Sequence, residues 1–147
     1  MLIGDVDGSV EKRKRIFSMS KLVMIIDDSL TVRKIIETSL KREGFESVSY
    51  PDGIEAIRAL NEKRHRTPDL VILDIGLPKM DGYEVARHLK TKSQFGNTVI
   101  IMLSGRDGVI DRLKGRLAGA KDYLTKPFRT QDVMSVIHSH LNVPTLT

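Results

Sequence analysis

The chain has 147 residues, 24 Lys and Arg against 19 Asp and Glu, a formal net charge of +5 and no cysteine. That length suits one domain whose core needs no covalent staple, and the lack of thiols excludes a disulfide framework and thiolate metal sites. No apolar run approaches a membrane span, and Asp5 and Asp7 sit where a secretory leader needs its apolar stretch. The expectation is a soluble cytoplasmic protein with no membrane insertion. Charge of both signs is spread along the sequence, which leaves nucleic-acid binding as a runner-up.

Residues 1–20 are polar and aperiodic, carry the basic block Lys12-Arg13-Lys14-Arg15, and read as a flexible N-terminal extension. Met19-Ser20 offers an alternative start. Asp5-Val6-Asp7-Gly8-Ser9 resembles the first motif of haloacid-dehalogenase-type phosphatases, but only Leu2-Ile3 precedes it where that motif needs a buried strand.

From residue 21 to 142 the pattern is regular. Leu22 to Ile26 is an apolar strand ending in Asp27-Asp28, and Ser29 is placed to cap the next helix, with Val32, Ile35, Ile36 and Leu40 on one face and Gly44 at its end. Glu46 to Tyr50 is a strand. Asp52-Gly53-Ile54-Glu55 reads as a capping box opening a helix that buries Ile54, Ile57 and Leu60. Leu70-Val71-Ile72-Leu73, bounded by Pro68-Asp69 before and Gly76 and Pro78 after, is a strand buried on both faces that delivers Asp74 to its carboxyl end. Asp81-Gly82-Tyr83-Glu84 opens a third helix with Val85, Ala86 and Leu89 inward. Thr98 to Leu103 is a fourth strand, followed by Ser104-Gly105. Ile110, Leu113 and Leu117 mark a fourth helix and Asp122 to Thr125 a short fifth strand. Val133, Met134, Ile137 and Leu141 mark a last helix, with 143–147 as a tail. His138 and His140 are two apart on that helix and face different ways, so they do not share a metal.

Alternating strands and helices with short connections predict an α/β fold: a doubly wound, five-stranded parallel sheet, flavodoxin-like, with helices on both faces. Strand order 2-1-3-4-5 puts the switch point between strands one and three, which end in Asp27-Asp28 and Asp74. Taken singly, Asp74 is a loop-capping turn residue, Ser104 another turn residue and Lys126 a surface lysine. Together they have a chemistry. Carboxylates gathered at one strand edge repel, and a hard divalent ion such as Mg²⁺, which takes few protein ligands, resolves the repulsion. An aspartate beside such an ion is a nucleophile toward phosphorus. Ser104 can hydrogen-bond a phosphoryl oxygen, and Lys126 can neutralise its charge.

Asp27-Asp28, Asp74 with Pro78 and Met80-Asp81-Gly82 behind it, Ser104-Gly105 and Lys126-Pro127-Phe128 stand in order at matching spacing. The set resembles the receiver domain of two-component response regulators over residues 21–142. The resemblance implies that Asp74 is the phosphoacceptor. Asp28 is then a direct Mg²⁺ ligand, Asp27 binds mainly through water, and the Gly76 backbone carbonyl is a further ligand. Ser104 and Tyr123 match the switch pair, whose hydroxyl moves toward the phosphoryl group while the aromatic ring rotates inward. Lys126 pairs with the phosphoryl group, its bond to Pro127 is cis, and positions 76 and 106 tune water access.

By the same resemblance the protein is a switch with self-catalysed phosphoryl transfer and dephosphorylation. Its donor is a histidine kinase, and a downstream protein docks on the surface of helix 4, strand 5 and helix 5, beside a basic stripe of Arg112, Lys114 and Arg116. The expected state is a monomer or weak dimer. No DNA binding is expected, because the sequence ends soon after the last helix. The output is then a motility component, a phosphorelay step or a phosphate sink, unless the chain is a receiver fragment of a longer regulator. The stretch from Ser104 to Phe128 resembles single-domain regulators of twitching-motility and chemotaxis-like systems. A flavodoxin-like carrier is the competing use of this fold, but the acidic Asp27-Asp28-Ser29 loop would repel a flavin phosphate.

Overall fold

The computed structural model describes residues 21–105 and 108–141. The predicted extension 1–20, Arg106 and the tail 143–147 lie outside them. In chain order the elements are β1 (Leu22–Ile26), α1 (Leu30–Arg42), β2 (Glu46–Tyr50), α2 (Gly53–Asn61), β3 (Leu70–Asp74), α3 (Gly82–Lys90), a 3₁₀ turn (Ser93–Phe95), β4 (Val99–Ser104), α4 (Val109–Leu117), β5 (Asp122–Thr125) and α5 (Thr130–Leu141). The strands form one parallel sheet, as the alternation of elements predicts, and its order is β2-β1-β3-β4-β5, the expected one.

All residues of β1 and β3 are buried, which is why both are written almost wholly in Leu, Val, Ile and Met. Their side chains alternate between two cores, as the period of a strand requires. Met24, Ile26, Val71, Leu73, Ile100 and Met102 meet α2 and α3 on one face. Val23, Ile25, Leu70, Ile72, Ile101 and Leu103 meet α1 and α5 on the other. The N-caps work as their sequences indicate. Ser29 Oγ accepts from the Val32 amide at 3.2 Å, Asp52 Oδ1 from Glu55 at 2.8 Å and Asp81 Oδ1 from Glu84 at 2.9 Å. Gly44 follows the end of α1 at φ +84°, a left-handed turn that suits glycine.

Two helix faces differ from their sequence reading, and a third helix, found where it was expected, turns its apolar residues outward. On α1, Ile36 and Leu40 are buried but Ile35 is exposed. On α2 the buried stripe is Gly53, Ala56, Ala59 and Leu60, while Ile54 is exposed and Ile57 half-buried. The cause is close packing: a Cβ on Gly53 would stand 2.3 Å from Val85 Cγ2 of α3, so small residues make this contact and the isoleucines are displaced to the flank. On α4 the periodic apolar residues face outward, with Ile110 69%, Leu113 51% and Leu117 78% exposed. β4 also starts one residue later than Thr98, whose hydroxyl instead donates to the Pro68 carbonyl at 2.8 Å. Ser104 therefore ends the strand, opposite Thr125. Among the described residues no helix is long and apolar enough to cross a membrane.

Gly82 opens α3 against the carboxyl end of β3, where a Cβ would lie 2.4 Å from the Asp74 carbonyl oxygen and 2.8 Å from Ile75 Cα. Both are backbone atoms and cannot turn aside. Gly82→Ala is expected to cost about 3 kcal/mol in chemical denaturation, whereas Gly105→Ala, with nothing within 4 Å, is expected to be near neutral. Lys63, just past α2, holds φ +54° without being glycine. Lys63→Gly is therefore expected to raise stability by roughly 0.5 kcal/mol, measured the same way.

Candidate functional site

β1 and β3 are neighbours in parallel register, with Ile26 opposite Leu73. The residues at the carboxyl ends of the two strands therefore emerge side by side at one edge of the sheet. Asp27 and Asp28 come directly after β1, Asp74 is the last residue of β3, and one carboxylate oxygen from each lies within 4.8 Å of the others. Asp27 and Asp74 are buried and Asp28 is exposed.

Lys126 arrives from the other side of the sheet. Its amide donates to the Ser104 carbonyl at 2.6 Å, continuing the β4–β5 ladder, and its peptide bond to Pro127 is cis. The ammonium bridges two carboxylates, at 2.9 Å from Asp27 Oδ2 and 3.3 Å from Asp74 Oδ2. Backbone donors take the remaining oxygens: Ser29 N–H to Asp27 Oδ1 at 2.8 Å and Gly76 N–H to Asp74 Oδ1 at 3.1 Å. Arg33 of α1 reaches back to the Asp27 carbonyl at 2.6 Å.

Burial and the neighbouring Asp27 charge push the Asp74 carboxyl above the usual carboxylate range, against the pull of the Gly76 amide and Lys126. Burial alone would lower Lys126, but its hydrogen bond to Asp27 and the charges of both aspartates hold it above the usual lysine value. The lysine stays cationic, while the surroundings of Asp74 favour its protonated form.

Ser104 is buried at the end of β4, next to Leu103, which pairs with Asp74. Tyr123 sits on β5 opposite Met102 and is only 8% exposed. Its ring lies beneath Gly115 of α4, where a Cβ would touch Cδ2 at 3.4 Å, and under the Arg112 guanidinium, 5.1 Å from the ring centroid. The ring already stands inside, where the sequence reading has it rotate inward on activation. Arg112 belongs to a cation–π contact rather than only to a basic stripe.

Of the sequence-derived candidates, the structure gathers Asp27, Asp28, Asp74 and Lys126, with Gly76 and Ser104 adjoining. Tyr123 lies outside the carboxylate contacts. Sequence reasoning missed Arg33, although a signal was present: a cation near the start of α1 opposes the helix dipole unless it has a partner there. Three carboxylates are hard oxygen donors, a set that fits Mg²⁺ and not a thiolate-seeking metal.

The response regulator receiver domain family matches residues 23–138. Protein PilG of Pseudomonas aeruginosa is 39% identical over 125 residues, 85% of this chain and 89% of PilG. Among solved structures, the chemotaxis response regulator CheY4 of Vibrio cholerae superposes with a TM-score of 0.74 at 28% identity, over 82% of this chain and 98% of that one. The BeF3-activated receiver domain of DrrB, an OmpR/PhoB homologue from Thermotoga maritima, gives a TM-score of 0.74 at 25% identity, over 83% of this chain and 97% of that one. With the family matched over residues 23–138 and these folds superposing over more than four fifths of the chain, the chain belongs to the receiver domains of two-component response regulators.

Proposed function

We propose that this receiver is a phosphorylation switch: Asp74 accepts a phosphoryl group from a histidine kinase, and the α4–β5–α5 surface carries the change to a downstream protein. The observation that carries this reading is the Lys126 ammonium bridging Asp27 and Asp74 at the sheet's switch point, with Asp28 within reach. Of the two carboxylates that share Lys126, Asp27 is fully buried and held by Ser29 and the shorter contact, which leaves Asp74, with the longer contact, the freer to react.

In the forward step a carboxylate oxygen of Asp74 forms a bond to phosphorus as the N–P bond of the donor phosphohistidine breaks, and the imidazole nitrogen keeps the electron pair. Lys126 transfers its contact to the new phosphoryl oxygens, and the Ser104 hydroxyl donates to them. In the later hydrolytic step water forms a bond to phosphorus as the bond from the Asp74 oxygen breaks, inorganic phosphate leaves with the protons of the water, and the Asp74 carboxylate returns. Asp28 would hold Mg²⁺ directly and Asp27 mainly through water, with Asp74 and the Gly76 carbonyl as the other ligands. The bound ion supplies positive charge against the gathered carboxylates and the phosphoryl oxygens. We read the protein as a cytoplasmic signalling switch, monomeric or weakly dimeric. The likeness to the chemotaxis response regulator CheY4 supports a chemotaxis-like or motility output.

Intact mass after incubation with acetyl phosphate and Mg²⁺ tests the chemistry. A hydroxylamine-labile gain of one phosphoryl group is expected in the wild type, and none in Asp74→Asn or in the presence of chelator. A gain that persists in Asp74→Asn would move the acceptor elsewhere.

The site also predicts a pH-dependent cost to stability. Because the folded-state pKa of Asp74 is raised, its protonated form favours folding at low pH, and that contribution is lost as pH rises through the folded value. At neutral pH the ionised side chain therefore burdens the fold. With chelator present at pH 7, Asp74→Asn is expected to melt a few degrees above the wild type. The difference is expected to close as pH falls below about 3.9, the unfolded aspartate value, where the wild-type side chain is protonated in both states.

A further inference from the structure

We propose that Tyr83 is a positioning residue that holds α4 to the phosphoacceptor loop and passes a movement of that loop to α4. The inference deepens the proposed function, since the movement it transmits is the one produced at Asp74.

α4 is held by unusually little. It buries no large apolar side chain: Gly115 is its buried residue, Ala118 caps it, and Val109, Ile110, Leu113 and Leu117 all face solvent. Its position must come from contacts made by its neighbours. One is the Tyr123 ring beneath Gly115. The Arg112 guanidinium lies over the same ring, and on the α3 side the Tyr83 hydroxyl donates to the Asp111 carbonyl in the first turn of α4 at 3.2 Å, while the rest of Tyr83 is buried in α3.

Tyr83 is joined to the site by one residue. Gly82 donates its amide to the Ile75 carbonyl at 2.9 Å, and its Cα lies so close to the Asp74 carbonyl that no Cβ fits between. A displacement of the Asp74–Ile75 backbone therefore meets Gly82 with no slack. The next residue in the chain carries the bond to α4. This route runs from β3 through the start of α3 and does not use Ser104 or Tyr123.

Amide exchange on the full chain separates this role from plain structural support. Tyr83→Phe removes the hydroxyl and keeps the ring. Tyr50→Phe removes another half-buried tyrosine hydroxyl, the one paired with His65, and serves as the control. In unphosphorylated Tyr83→Phe, the amides from Arg112 to Arg116 are expected to exchange about fivefold faster, the effect of one lost hydrogen bond, with β3 and α5 unchanged. Tyr50→Phe is expected to leave α4 as in the wild type. Both variants should take up phosphoryl from acetyl phosphate as the wild type does. Phosphorylation should speed α4 exchange in the wild type and add little in Tyr83→Phe.

Unchanged α4 exchange in unphosphorylated Tyr83→Phe would overturn the anchor, and faster exchange everywhere would reduce Tyr83 to general support. A phosphorylated Tyr83→Phe that responds as fully as the wild type would overturn the transmission. Absence of phosphoryl uptake in all proteins would remove the phosphoacceptor reading and the transmission with it, while the unphosphorylated comparison would still decide the anchor.

Discussion

The Lys126 ammonium between Asp27 and Asp74 is the contact on which the arrangement of the site depends. Two carboxylates buried at one sheet edge would repel each other and lose their hydration, a cost of several kcal/mol per ion in a protein interior. The fold meets that cost with one cation and two backbone amides, those of Ser29 and Gly76. Each acceptor and donor needs its own element in place: the end of β1 for Asp27, the end of β3 for Asp74 and the Gly76 amide, the start of α1 for the Ser29 amide and the end of β5 for Lys126. The parallel order β2-β1-β3-β4-β5 brings their carboxyl ends to one side, and this makes the cluster possible. A buried ion pair of this kind is seldom retained for stability alone, since an apolar replacement of similar volume often serves as well. The raised pKa of Asp74 fits that view: the site keeps a carboxylate where a neutral side chain would fold more easily.

Much of this was legible in the chain because the strongest signals are local. β1 and β3 are nearly pure apolar runs, and Ser29, Asp52 and Asp81 cap the helices they precede. The alternation of elements implied a doubly wound parallel sheet, and in the order 2-1-3-4-5 such a sheet brings Asp27, Asp28 and Asp74 together. What periodicity cannot carry is the size of the gap that a side chain enters. On α2 it favoured Ile54 and Ile57, yet Gly53 stands so close to Val85 of α3 that no Cβ fits, and the buried stripe is Gly53, Ala56, Ala59 and Leu60. On α4 the apolar spacing is genuine, but the same pattern is written whether such a face meets the core or solvent. The partners that side chains find across a turn do not follow from apolar spacing: a cation at the start of α1 signals that Arg33 needs a partner, but not that the partner is the Asp27 carbonyl, and nothing in the spacing places Arg112 over the Tyr123 ring.

The uneven anchoring of the helices decides which of them can respond to a change at Asp74. α5 buries Val133, Met134, Ile137 and Leu141. At roughly 1.5–3 kcal/mol for each such side chain, detaching it would cost on the order of 10 kcal/mol. α3 is held as firmly through Tyr83, Val85 and Leu89. A local rearrangement at a carboxylate supplies a few kcal/mol at most, and it shifts an equilibrium only by its differential stabilisation of the two states. It can therefore redistribute α4, whose ties are a tyrosine hydroxyl, one ring with Arg112 over it and a few small residues, and shift the first residues of α3, Gly82 and Tyr83, but it cannot move α5 or the rest of α3 as bodies. The same reasoning explains the outward apolar face. Large side chains buried under α4 would fix it too firmly for any event at Asp74 to shift, whereas the same side chains turned outward leave the helix movable and supply apolar surface for a partner to cover. An element that reports a small energy must itself be held by small energies, and α4 is the helix of this sheet that meets that condition.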